Sequence, residues 1–91
     1  MSDQNADCRP SPEMDFSTFV VSIGTSALVG LGVAENPETG GKQLDLELAK
    51  QNIDILSMLC AKTKGNLTEA EGKLLHTMLY DLRMAYVQAT K

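Results

Sequence analysis

Cys8, Cys60 and His76 are the thiols and the single imidazole of this 91-residue chain, and no two of them stand close enough in sequence to form a ligand pair. A structural metal site needs about four such ligands at fitting spacing. Metal and cofactor binding are therefore not expected. Cys60 falls on the apolar arc of a helical pattern and reads as a small core residue, with no base supplied nearby in the sequence. His76 lies off the inner face of its own helical pattern and reads as an ordinary half-exposed imidazole.

Other fragments resemble chemistry without completing it. Lys62-Thr63-Lys64-Gly65 has the composition of a phosphate loop, yet a P-loop needs more glycines, a preceding strand and a final Lys-Ser/Thr in that order. Gly30-Leu31-Gly32 is part of a dinucleotide fingerprint without the surrounding βαβ unit. Asp81 and Arg83, two apart on a helix, point in different directions. No acid, base and nucleophile converge, so no catalytic residue is assigned and an enzyme is the third-ranked reading.

Composition narrows the partners. A formal charge of −4 lacks the basic stripe that phosphate backbones require, so nucleic acid is not an expected ligand. Asp3, Asp7, Glu13 and Asp15 against Arg9 place −3 of that charge in the first 15 residues. Residues 1–14, polar and proline-containing, read as a disordered acidic tail, and residues 15–91 as a single helical domain. Two widely separated cysteines do not make a secreted disulfide framework. The acidic segment before the apolar run is not the basic start of a signal peptide, so a cytoplasmic location is expected.

The elements that would position these residues follow from pattern. Phe16 to Ala34 contains no charge, with eleven apolar residues and eight Gly, Ser or Thr. Phe16, Phe19, Val20, Ile23, Ala27 and Leu31 make a helical stripe, although the β-branched content and Gly24-Thr25-Ser26 also permit a hairpin of two strands. Helix is the preferred reading, with Asp15 as N-cap. A loop is expected over Glu35–Gly41. From Asp45 the apolar residues recur at three- and four-residue steps through Cys60, an arc wide enough to touch two partners. Gly65 after Lys62 and Lys64 stops that helix. Thr68-Glu69-Ala70-Glu71 is a capping box that starts a third. The short connection makes the second and third helices an antiparallel hairpin, and its geometry suggests a Lys50–Asp81 pair.

Several separated motifs, among them Pro37-Glu38-Thr39-Gly40, Ile53-Asp54-Ile55-Leu56, Lys62-Thr63-Lys64-Gly65-Asn66-Leu67-Thr68 and Asp81-Leu82-Arg83 with Tyr86, occur in order. Over roughly residues 15–90 the chain resembles a small bacterial family, domain of unknown function eighteen-forty-four. The resemblance implies a soluble, mostly helical protein and carries no catalytic or binding residues over. Gly72, where a good helix former belongs, departs from it.

The fold expected is all-α, with three helices, the first packed on the hairpin, and a homodimer. The leading function is a non-catalytic adaptor or accessory subunit that self-associates through a small-residue ridge of Ser22, Ser26 and Gly30. Tyr80, Met84 and Val87 form a second apolar stripe on the third helix, to be covered by the tail or by a partner protein. The alternative is a membrane-associated small subunit anchored by residues 16–34, against which stand acidic flanks, many small polar residues and no aromatic belt.

Overall fold

The structure, a computed structural model, describes residues 14–91, so all of the expected tail except Met14, Cys8 included, lies outside the described residues. Three helices follow in order: α1 (Phe16–Gly30), α2 (Leu46–Lys62) and α3 (Glu69–Ala89). Each starts where the sequence offers a side-chain oxygen to orphan backbone donors. Asp15 Oδ1 accepts from Thr18 N at 2.7 Å, and Asp45 Oδ1 accepts from Leu48 N at 3.1 Å. The capping box is complete, Thr68 Oγ1 accepting from Glu71 N at 3.1 Å while Glu71 Oε1 accepts from Thr68 N at 2.9 Å.

α1 ends four residues before the charge-free run does. Gly32 takes φ of 75°, its N–H bonds Val29 O at 3.0 Å, and Val33 N–H bonds Leu28 O at 3.0 Å. Those two bonds around a left-handed glycine are a Schellman stop. Gly30-Leu31-Gly32 is thus a helix terminator, and residues 16–34 are not one helix. The 15 residues of α1 span only about 22 Å. No helix among the described residues is long and apolar enough to cross a membrane.

The segment between α1 and α2 pairs Leu31 with Leu44 in an antiparallel bridge and closes a turn over Asn36–Gly41. At the end of α2, Gly65 has φ of 86° and Asn66 N bonds Thr63 O at 2.9 Å. The left-handed glycine expected there is present, two residues beyond the cap Thr63 rather than directly after it.

All three helices pack on one another, with α2 between two partners as its wide apolar arc demands. The core draws evenly on them: Val20, Ala27 and Leu31 from α1 and its cap, Ala49, Ile53 and Leu56 from α2, and Leu75, Leu79 and Leu82 from α3. Two glycines set how closely α1 approaches. A Cβ on Gly30 would stand 2.8 Å from both Ala49 N and Asp45 O, and one on Gly24 would stand 2.5 Å from Met78 Sδ. Phe19, expected on the inner stripe, is 37% exposed, because burial centres on Val20, Gly24 and Ala27.

Two glycine substitutions should separate packing from helix propensity. Gly30→Ala meets backbone that cannot swing aside and should cost about 1–3 kcal/mol. Gly72→Ala, where a Cβ meets nothing within 4 Å, should gain roughly 0.5–1 kcal/mol. Urea midpoints measure both, and equal effects of one sign would contradict the packing. The Thr18 backbone N–H, followed by its hydroxyl, also holds the Asp15 carboxyl below its ordinary pKa. A depressed carboxylate stabilises the fold above its unfolded pKa and loses that contribution as pH falls through the folded one. The Thr18 amide resonance should therefore titrate below the ordinary Asp value of about 3.9, and a midpoint at or above that value would remove the cap.

Candidate functional site

α3 turns one face into the core and carries a second apolar row outward. Tyr80, Met84 and Val87, at i, i+4 and i+7, are 66%, 48% and 54% exposed. Lys73 lies seven residues before Tyr80 and continues the row at its N-terminal end, while Lys91 follows the last helical residue, Ala89, beyond the other end; both are exposed. The exposed residues Asp81 and Arg83 flank it. An apolar centre with cationic ends results, on a protein whose total charge is negative.

The Ser22, Ser26 and Gly30 ridge runs from the surface into the protomer along α1. Ser22 is exposed, Ser26 half-buried, and Gly30 buried under the Asp45 and Ala49 backbone of α2. The close approach that Gly30 permits therefore occurs within the protomer, and Gly30 is not available to a second copy. The outward face of α1 carries instead Thr18, Val21, Ser22 and Thr25, all exposed, with Phe19 exposed at its rim. Ser22 Oγ donates to Phe19 O at 2.8 Å.

The expected Lys50–Asp81 pair does not form. Lys50 Nζ meets Asp54 Oδ2 at 3.2 Å one turn along α2, a solvent-exposed pair worth ~0.3–0.5 kcal/mol. The hairpin register is marked by other contacts: Arg83 Nη2 donates to Ser57 Oγ at 3.0 Å, and Cys60 Sγ lies 3.5 Å from His76 Nε2. That register carries Lys50 past Asp81, toward the C-terminal turns of α3.

The Cys60–His76 contact corrects the reading of Cys60 as a thiol without a base. Cys60 is half-buried and free, on the last turn of α2, and the exposed His76 reaches it from the second turn of α3. They meet in an open cleft of about 610 Å³ between the facing ends of the hairpin. Lys64 and Arg83 also line it, with the hydroxyl-bearing Ser57, Thr63 and Thr68, and no carboxylate lines it among the described residues. Gly72 lies on the cleft wall, and its missing side chain leaves that wall open. Among the described residues no three His, Cys, Asp or Glu side chains converge as a metal site.

Compared with known proteins, the chain matches one family model, described as Domain of unknown function (DUF1844), over residues 13–88. No curated protein and no solved structure matches it.

Proposed function

Since the chain belongs to that family, whose description assigns no reaction, we propose from the α3 surface that it is a non-catalytic adaptor or accessory subunit. Its docking face is the row of Tyr80, Met84 and Val87. The observation that supports this reading is the exposure of three large apolar side chains in helical register, opposite the face of α3 that fills the core. Tyr and Met are enriched in the cores of protein interfaces, and such a row suits an amphipathic helix laid alongside it.

Charge selects the occupant. A second copy laid antiparallel on this row would set Lys73 of each protomer near Lys91 of the other, a like-charge contact that opposes pairing. A partner helix with an apolar seam and acidic ends meets no such opposition. The preferred partner is therefore a different protein of that chemistry, encountered in a reducing, cytoplasmic setting consistent with the free Cys60.

Self-association through α1 is kept as a second reading, because α1 carries no charge and turns Thr18, Val21, Ser22 and Thr25 to its surface. Small residues and hydroxyls let two helices approach closely.

Met84→Glu should leave the urea midpoint within roughly 0.5 kcal/mol of wild type, as exposed positions do. It should also abolish co-purification of a partner from the native cell. Lys73→Glu combined with Lys91→Glu should weaken the same complex. Unfolding of Met84→Glu, or an unchanged complex in both variants, would refute the docking face. Sedimentation equilibrium separates the readings: a wild-type dimer dispersed by Val21→Lys places self-association on α1, one dispersed by Met84→Glu puts a second copy on α3, and a monomer leaves the row to another protein.

A further inference from the structure

The geometry points to Cys60 as a thiol-modification site for small anionic disulfides. A nucleophile and a base stand 3.5 Å apart, on different helices, inside a cleft of about 610 Å³ with room for a small molecule. With Nε2 unprotonated, His76 accepts the Cys60 S–H proton and leaves a thiolate, the form that attacks disulfides. Lys64 and Arg83 border the same cleft, and Ser57 fixes the Arg83 guanidinium through the 3.0 Å hydrogen bond. Lys64 and Arg83 attract a ligand that brings carboxylates.

The step is a thiol–disulfide exchange. Cys60 Sγ gives its proton to His76 Nε2 and attacks one sulfur of a disulfide R–S–S–R. The S–S bond breaks as a Cys60–S–S–R bond forms, and the second sulfur leaves as a thiolate that takes the proton from the imidazolium. The Cys60 sulfur is oxidised, the departing sulfur is reduced, and the disulfide itself is the oxidant. One equivalent is consumed per chain, so the reaction marks the protein rather than turning over, and a reducing thiol reverses it.

The test uses the full chain carrying Cys8→Ser, so that Cys60 is the sole thiol. Its rate is measured with dithiobis(nitrobenzoate), a dianionic disulfide, and with dithiodipyridine, a neutral one, by absorbance of the released thiol. Each is normalised to the same chain unfolded in urea. Lys64→Gln combined with Arg83→Gln should slow the dianionic probe about tenfold at low salt and leave the neutral probe within about twofold. His76→Gln should slow both by about tenfold or more. Thr77→Gln, exposed on α3 and away from the cleft lining, should change neither. Urea midpoints confirm that the variants fold. Parallel loss with both probes in the Lys64/Arg83 variant would overturn the anion selectivity, and an unaltered rate in His76→Gln would overturn the role of the pair.

Discussion

The fold depends first on the absence of a side chain at Gly30. Because nothing projects there, the backbone of α2 at Asp45 and Ala49 comes within 2.8 Å of where a Cβ would be. The same junction carries the hydrogen bond from Asp45 N to Gly30 O at 2.6 Å, and Asp45 caps α2 with its side chain. One residue pair thus ties the last residue of α1 to the N-cap of α2 and fixes the separation of the two helices. With α1 held there, Val20 and Ala27 meet the inner faces of the hairpin, and Gly24 admits Met78 from α3. A methyl group at Gly30 would act on all of these contacts, because packed interiors transmit displacement rather than absorb it.

The same joint explains how a helix without charges can lie on a small protein's surface. Many of its apolar positions are turned inward, while its exposed positions are two threonines, a serine, one valine and Phe19 at the rim. A hydroxyl can return its hydrogen bond to the helix, as Ser22 does to Phe19 O, and so presents a smaller polar demand than a free amide. The absence of charge in Phe16–Ala34 therefore does not require that the whole run be covered. Only one side of α1 is buried, and the last four residues of the run are not in the helix at all.

What could be read from the sequence was what is local in physics. Asp15, Asp45 and the Thr68–Glu71 box each act within four residues, and each begins a helix where its type predicts. The stop at Gly32 was also written in the sequence, but Val33 and Ala34 prolonged the apolar run and masked the glycine signal. Relations between helices were less legible. The hairpin itself followed from its short turn, yet its register did not, because a rotation of α3 by one position exchanges the facing residues. Lys50–Asp81 was therefore expected where Ser57–Arg83 and Cys60–His76 define the alignment. Cys60 sits at the edge of the apolar arc of α2, so period alone made it core. Only the facing helix reveals that this edge opens on a cleft.

His76, Tyr80, Arg83 and Val87 follow one another at four-, three- and four-residue steps, which places them along a single side of α3. The cleft and the apolar row are consequently neighbouring parts of one surface, joined at Arg83, which borders the cleft by its guanidinium and precedes Met84 in the chain. A partner helix seated on Tyr80 and Val87 would reach toward the open side of the cleft and restrict access to the Cys60 sulfur. A bulky anionic group on that sulfur would draw Arg83 inward and add negative charge beside a face suited to acidic helix ends. If a partner helix on the row overlaps the space or the charge of a group in the cleft, occupancy of one part opposes occupancy of the other, and that coupling is reciprocal.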